Sequence, residues 1–197
     1  MCCSVLQCVA VCYSVHKRDR GIIGSLGYLV TMTRPDLAWS YSELSKYVQF
    51  PGKSHMEAAE HVIRYLRATW NETITYIRGS RRVNKLWGWV DADWAGDTDT
   101  RRSHTGYILM MNGGPISWKS RRQDNVSLST SEAEFVAGSQ AAQEVEYLRE
   151  TPRDFGYSQS TATDIFEDNL ACITMSKNPV GRKFSDTLIS VNVLFVN

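Results

Sequence analysis

Three acidic residues far apart in the sequence have the surroundings that metal-ion chemistry requires. Asp91 follows the apolar and aromatic run 86–90, and Asp168 follows the short apolar run 164–166. Open α/β sheets bind ligands at the ends of their strands, where a side chain is held rigidly and still reaches solvent. If the two strands are neighbours, both carboxylates face one crevice.

Glu134 is the third candidate because it lies on the apolar face of a predicted helix. That face continues through Ala137, Ala141, Val145 and Leu148. Glu132 lies on a more polar face. A buried carboxylate needs a partner, and a metal ion shared with Asp91 and Asp168 would be one. A capping box between Ser131 and Glu134 is the local alternative, and the helix alone does not decide between the two.

The chemistry of this trio is that of hard oxygen ligands. With no His or Cys nearby, carboxylates favour Mg²⁺ or Mn²⁺ over zinc. Arranged around two such ions, they suit phosphodiester hydrolysis, because one ion activates the attacking water and the other stabilises the leaving oxygen. The trio therefore predicts a metal-dependent nuclease site.

Periodicity and turn signals predict the elements that position the trio. In chain order these are strands at 86–90, 107–111 and 116–118, a helix from the cap at 129–131 to about 148, a strand at 164–166 and a helix at about 169–176. Asn112-Gly113 between two apolar runs is a hairpin signal. The order β, β, β, α, β, α predicts an α/β fold, with helices packed on a mixed sheet. Trp87 and Trp89 alternate onto one face of their strand and are predicted to lie in the core.

The preceding residues predict a helical hairpin at 34–68. Pro35 opens its first helix, and Pro51-Gly52 ends it. The second helix is predicted to begin at Ser54, in a capping box with Glu57.

Composition excludes several classes of protein. The 197-residue chain is 43% hydrophobic and 22% charged with a net charge of +1, which argues against a disordered tail, a coiled coil and a uniformly basic histone-like binder. No apolar run reaches the ~18 residues of a membrane-spanning helix. Residues 78–122 carry nine basic and four acidic groups, and residues 123–197 carry five basic and eleven acidic groups. These blocks indicate either a polyanion-binding face beside a metal-binding one or two solvated faces.

Five basic residues and one serine in the first block are candidate nucleic-acid contacts. They are Arg101, Arg102 and Ser103, after the first strand, and Lys119, Arg121 and Arg122, at the end of the third. Cations beside the aromatic ring of Trp118 can follow a phosphate backbone. Solvated turns have the same composition, so both interpretations stay open.

Cysteine placement sets the first residues apart. Four of the five cysteines lie at positions 2, 3, 8 and 12. This crowding argues against a secreted disulfide scaffold, and no His or Cys pair follows at zinc-finger spacing. Residues 1–20 are interpreted as a low-complexity, Cys-rich appendage on a reduced, intracellular protein, either cytoplasmic or nuclear.

Several ordered motifs resemble the Pol polyprotein of copia-type retrotransposons. Gly24-Ser-Leu-Gly-Tyr-Leu, Thr33-Arg-Pro-Asp-Leu and His61-Val-Ile-Arg-Tyr-Leu-Arg-Ala-Thr resemble the end of its reverse transcriptase. Asp91-Ala-Asp-Trp-Ala-Gly-Asp, Arg101-Arg-Ser-His-Thr-Gly-Tyr, Ile116-Ser-Trp-Lys-Ser, Leu128-Ser-Thr-Ser-Glu-Ala-Glu-Phe and Asp168-Asn resemble the ribonuclease H domain that follows it.

The resemblance implies a ribonuclease H-like domain at 79–197, preceded by a helical reverse-transcriptase connection segment at 21–78. It implies that Asp91, Glu134 and Asp168 are the catalytic, metal-binding carboxylates, with Glu134 chosen because Glu134-Phe-Val-Ala matches the family's pattern. The implied reaction is Mg²⁺- or Mn²⁺-dependent hydrolysis of the RNA strand of an RNA–DNA hybrid. Other retroelement proteins are further implied partners, and a membrane is not.

Two features depart from that family. Thr187 and Ile189 stand where a His and a fourth carboxylate are expected, and Asp186 lies in a different register. The paired aspartates of the polymerase are also missing, which argues against DNA synthesis. The ribonuclease H domain is therefore expected to be truncated or degenerate at its end. The sequence leaves two hypotheses: a working ribonuclease H, or an inactive relic that keeps the fold and at most binds nucleic acid.

Overall fold

The computed structural model describes residues 18–78, 82–177 and 193–196. The chain divides into two compact units, with the division after Ile74. The segment boundaries expected after residues 20 and 78 stay predictions. Most of the predicted Cys-rich appendage lies outside the described residues, as do Thr187, Ile189 and Asp186. Among the described residues, no helix combines the length and apolar character needed to cross a membrane.

The first unit is helical. Its elements are α1 (Arg18–Met32), a 3₁₀ turn (Pro35–Leu37), α2 (Ala38–Ser45) and α3 (Lys53–Ala68). Helix α1 precedes the predicted hairpin and was not expected from it, although its buried residues Ile22, Leu26 and Leu29 follow helical spacing.

The start of α3 corrects the predicted capping box. Gly52 is the N-cap, so His55 rather than Glu57 occupies the third helical position. The Gly52 N–H donates to His55 Nδ1 at 2.9 Å, and the imidazole stacks on Tyr47 with ring centroids 3.8 Å apart. Because the helix begins earlier than predicted, a ring nitrogen takes the acceptor role assigned to the Glu57 carboxylate.

Arg34 ties the first unit together from a buried position. Its guanidinium donates to both carboxylate oxygens of Asp36, at 2.9 and 2.7 Å. It also donates to the Thr69 carbonyl at 3.1 Å and hydroxyl at 2.7 Å, and lies 5.6 Å from the centroid of the Tyr65 ring. One side chain thereby joins the 3₁₀ turn to the end of α3.

Arg34→Met is expected to destabilise the first unit by roughly 1–3 kcal/mol, because it removes the charged donor that joins Asp36 to Thr69. Hydrogen exchange followed by mass spectrometry measures this locally. Peptides from α1–α3 should lose protection in Arg34→Met and keep it in Arg64→Met, which removes an exposed arginine of α3. Peptides from the second unit are the internal reference, and equal protection in the two variants would contradict the assignment.

The second unit is a mixed sheet with two helices. Its elements are β1 (Trp87–Asp93), β2 (His104–Met111), β3 (Gly114–Arg122), α4 (Thr130–Asp154), β4 (Thr163–Phe166), α5 (Leu170–Lys177) and β5 (Val193–Val196). The strand order is β3-β2-β1-β4-β5, with β1, β2 and β3 antiparallel and β1, β4 and β5 parallel. The predicted α/β class and its βββαβα order are confirmed, and β5 is an addition to it.

The predicted hairpin between β2 and β3 is also confirmed. Asn112 and Gly113 have φ values of 51° and 83°. Both central residues of a type I′ turn require such positive φ values, which Asn and Gly tolerate best.

Helix α4 covers one face of the sheet with small side chains. Ala133, Ala137 and Ala141 are fully buried there, in one core with Val90 and Ile165. Gly138 meets the last strand directly, because a Cβ at this position would lie 2.9 Å from Cζ of Phe195. Small residues thus allow the helix to approach both the centre and the edge of the sheet.

The tryptophans of β1 lie on the other sheet face. Trp87 and Trp89 share that face as predicted, with their ring centroids 4.6 Å apart. Trp89 is nevertheless 44% exposed, so its predicted place in the core is wrong. Arg82 stacks on Trp87, 4.8 Å from its centroid, and approaches Phe166. Alternation identifies which residues share a face, but not which face the helices cover.

Candidate metal centre

Parallel pairing of β1 and β4 places Asp91 beside Asp168. Trp89 pairs with Phe166, and Asp91 and Asp168 each follow two positions later in the chain. Strand β1 continues to Asp93, so Asp91 lies within its strand. The prediction that Asp91 stands at the end of the strand is wrong. Strand β4 ends at Phe166, so its backbone pairing with β1 stops just before the two carboxylates.

The first turn of α4 decides the role of Glu134. Ser129 is the N-cap, and its hydroxyl accepts from the Glu132 N–H at 3.2 Å. Glu132 in turn accepts from the Leu128 N–H at 2.7 Å. The alternative box between Ser131 and Glu134 is not formed, because the cap lies two residues earlier. Glu134 is left one turn inside the helix with 6% of its surface exposed.

The structure brings the three predicted carboxylates together. One oxygen each from Asp91, Glu134 and Asp168 lies within 4.8 Å of the other two. Asp91 and Asp168 are exposed, whereas Glu134 is buried. Glu132 is not part of this cluster. The catalytic role of the trio stays a prediction.

The electrostatics of the cluster fit a divalent cation. Glu134 Oε2 is buried without a hydrogen-bond partner. Burial raises the pKa of Glu134 to about 8, the charges of Glu167, Asp91 and Asp168 add to this effect, and a hydrogen bond from the Ala92 N–H opposes it. A cation would offset this repulsion, and an all-carboxylate donor set suits Mg²⁺ or Mn²⁺.

Glu167 is a fourth acidic residue at the centre, and sequence reasoning missed it. Only 2% of its surface is exposed. Its Oε1 accepts from the Asn169 N–H at 3.1 Å, and its Oε2 has no partner. Burial is the main cause that raises the pKa of Glu167 to about 7. The signal was the alternation of Thr163 and Ile165, which are buried on the same side of β4.

Gln123 is a second residue that sequence reasoning missed. Its side-chain amide donates to the Ala133 carbonyl at 2.9 Å and to the Thr105 hydroxyl at 3.1 Å. Its carbonyl oxygen accepts from the Ser127 hydroxyl at 3.0 Å. The buried amide thus joins β2 to the first turn of α4, one residue before Glu134.

Two of the candidate nucleic-acid contacts have structural roles. Ser103 is fully buried, and its hydroxyl accepts from the Ala95 N–H at 3.2 Å, so the predicted contact is wrong for this residue. Arg122 donates to the buried carboxylate of Asp97 at 2.8 Å. That carboxylate also accepts from the Asp99 N–H at 3.0 Å and closes the loop after β1.

The other candidates lie nearer the surface. Arg101, Lys119 and Arg121 are exposed, and Arg102 is half-buried. Arg121 is paired with the exposed Asp124 at 3.2 Å. An exposed pair of this kind is weak and leaves the guanidinium accessible.

Sequence comparison identifies the relatives of this chain. It is 39% identical over 156 residues to the retrovirus-related Pol polyprotein from transposon TNT 1-94 of Nicotiana tabacum, and 37% identical over 161 residues to that from transposon RE2 of Arabidopsis thaliana. These matches cover 79% and 82% of this chain. The chain is similar to the Pol polyproteins of copia-type retrotransposons. It spans 11% of the length of each of these two Pol relatives.

The chain is also similar to proteins that are not named as Pol polyproteins. The chain is 42% identical over 126 residues to secreted RxLR effector protein 161 of Plasmopara viticola, a match that covers 64% of this chain and 87% of that protein. No protein-family model matches. Among solved structures, LC11 ribonuclease H1 from compost is 12% identical, with a TM-score of 0.42 over 58% of this chain and 84% of its own.

Without divalent ions, the protein is expected to lose stability as the pH rises from about 5 to 8. Glu134 has an ordinary pKa of 4.5 and a folded pKa of about 8. Between these values the folded state binds more protons than the unfolded state, so its stability is present at low pH and is lost as the pH rises. Thermal unfolding in EDTA across this range measures the loss.

Two glutamate variants separate this effect from general pH sensitivity. Glu134→Gln should reduce the slope of Tm against pH and leave the part due to Glu167. Glu132→Gln, which changes an exposed carboxylate two residues away, should keep the full slope. Equal slopes in the two variants would show that burial of Glu134 is not the cause.

Proposed function

We propose that the second unit is a retroelement ribonuclease H, which hydrolyses the RNA strand of an RNA–DNA hybrid with Mg²⁺, or with Mn²⁺ in its place. The observation that carries the proposal is the cluster of Asp91, Glu134 and Asp168, in which the buried Oε2 of Glu134 lacks a hydrogen-bond partner. Similarity to the Pol polyproteins of copia-type retrotransposons supports it independently.

The three carboxylates have different positions around the proposed ion site. Bound divalent ions would supply the charge that activates a water molecule and stabilises the leaving oxygen. Glu134 closes the buried side of the site, where the Ala92 N–H holds its carboxylate. Asp91 and Asp168 are exposed and leave the opposite side open to a phosphodiester.

Exposed cations provide the proposed contacts to the nucleic acid. Arg101, Lys119 and Arg121 belong to the basic block at 78–122. Phosphate contacts of this kind position a duplex without reading its sequence. They suit an enzyme that acts on hybrids of any sequence.

An inactive nucleic-acid-binding module is the second candidate function. The observation that favours it is the sequence itself, with Thr187 and Ile189 where a His and a carboxylate are expected. This candidate keeps the fold and the surface cations, and it lacks turnover.

Cleavage of a hybrid labelled on its RNA strand tests the proposed activity, in Mg²⁺ and then in Mn²⁺. Asp91→Asn, Glu134→Gln and Asp168→Asn should each reduce the rate by at least about 100-fold, because residues that act as one unit fail together. Glu132→Gln is the matched control and should retain the rate. Its amide oxygen still accepts from the Leu128 N–H, and it leaves the cluster intact.

Two results would count against catalysis by this trio. If Glu132→Gln loses activity as fully as Glu134→Gln, the assignment of Glu134 is wrong. If folded wild-type protein cleaves no RNA in either metal, the inactive module is the better description.

Binding of the same hybrid in EDTA, measured by fluorescence anisotropy at several salt concentrations, tests the cations. Lys119→Ala and Arg101→Ala should each weaken binding and lower the slope of log K against log salt by about one, the effect of one lost phosphate contact. Arg153→Ala, an exposed change near the end of α4, should leave the slope unchanged. If all three variants keep the wild-type salt slope, the nucleic acid binds at another surface.

A further inference from the structure

We propose that Glu167 is a positioning residue of the metal centre, a buried fourth carboxylate whose charge raises the affinity of Asp91, Glu134 and Asp168 for divalent ions. The inference rests on the proposed ion site. Glu167 lies outside the sequence motifs, and its proposed effect is on ion affinity instead of the chemical step.

The sheet fixes the backbone of Glu167. Thr163 and Ile165 are buried on one side of β4, and Glu167 follows them with the same alternation. Its N–H donates to the Val196 carbonyl of β5 at 3.0 Å. The side chain is therefore directed to the buried side by the strand, and not by a free loop.

One carboxylate oxygen of Glu167 is fixed by the turn that carries Asp168. Oε1 accepts from the Asn169 N–H at 3.1 Å. The Asn169 side-chain oxygen accepts from the Cys172 N–H at 3.0 Å, in the first turn of α5. Asp168 thus lies between two residues whose positions are fixed by hydrogen bonds.

The other oxygen has no partner. Among the described residues, Glu167 Oε2 and Glu134 Oε2 are the two buried side-chain oxygen atoms without one. Among the neighbouring charges that raise the pKa of Glu134, the charge of Glu167 has the largest effect, followed by those of Asp91 and Asp168. All of these neighbours are acidic. Burying carboxylates together without a counter-charge is unfavourable, and a cation supplies one.

Glu167 acts through the other carboxylates and not as a ligand beside them. The mutually close oxygens belong to Asp91, Glu134 and Asp168, and Glu167 is not in that set. A charge that destabilises the ion-free protein more than the ion-bound protein increases ion affinity by linkage. Removing the charge of Glu167 should therefore stabilise the ion-free protein and weaken ion binding.

Calorimetric titration with Mn²⁺, together with Tm in EDTA and in Mn²⁺, tests this inference on the full chain. Glu167→Gln retains an oxygen to accept from the Asn169 N–H and loses the charge. It should raise the Kd for Mn²⁺ on the order of 10-fold, a size typical of changes beside the ligands of a metal ion. It should also raise Tm in EDTA and reduce the Tm gain from Mn²⁺. Glu146→Gln, an exposed change on α4, should match the wild type.

Asp91→Asn separates failure of this inference from failure of the proposed function. If Asp91→Asn abolishes Mn²⁺ binding while Glu167→Gln binds like the wild type, the inference is overturned and the ion site stands. If Asp91→Asn binds like the wild type, the proposed ion site itself fails. A lower Tm in EDTA for Glu167→Gln with unchanged affinity would give Glu167 a purely structural role and also overturn the inference.

Discussion

Parallel pairing between β1 and β4 is the constraint on which the candidate site depends. The pair Trp89–Phe166 sets the register, and this register carries Asp91 and Asp168 to adjacent positions although they are far apart in sequence. A shift of one residue would turn one of these carboxylates to the other face of the sheet. Antiparallel β2 and parallel β5 flank the two strands and hold the register from both sides.

The second requirement is that α4 places a carboxylate against this opening. Its alanine face allows the backbone of the helix to approach the sheet closely. Gln123 fixes the first turn of the helix, and the Ser129 hydroxyl caps this turn by accepting from the Glu132 N–H. Glu134 consequently takes no part in capping the helix and lies buried among acidic neighbours. The fold thereby concentrates negative charge at Glu134, and the described side chains whose charges act on it are all acidic.

Much of this arrangement could be predicted from the sequence. Asp91 and Asp168 follow apolar runs, and helical spacing placed Glu134 on the buried face, so local patterns identified the three candidates. The choice between capping and metal binding for Glu134 required the position of the cap, which differs by two residues between the alternatives. Short patterns do not fix such boundaries.

What the sequence did not predict depends on which surfaces meet in the fold. Trp89 and Val90 are both apolar, and only packing shows that the helix covers Val90. Ser103 resembled part of a basic surface loop, yet its hydroxyl is an internal acceptor for a backbone N–H. Glu167 was missed because a glutamate after an apolar strand normally indicates solvent, and here the alternation carries it inward.

The close approach of Gly138 to Phe195 makes the candidate centre sensitive to a mutation outside its acidic residues. Every glycine codon becomes an alanine codon through one base change, and the added methyl would lie 2.9 Å from the aromatic ring of the last strand. Displacement of that strand would disturb Val196, whose carbonyl holds Glu167. Copies that accumulate neutral changes could therefore lose the geometry of the centre while all of its acidic residues remain in the gene.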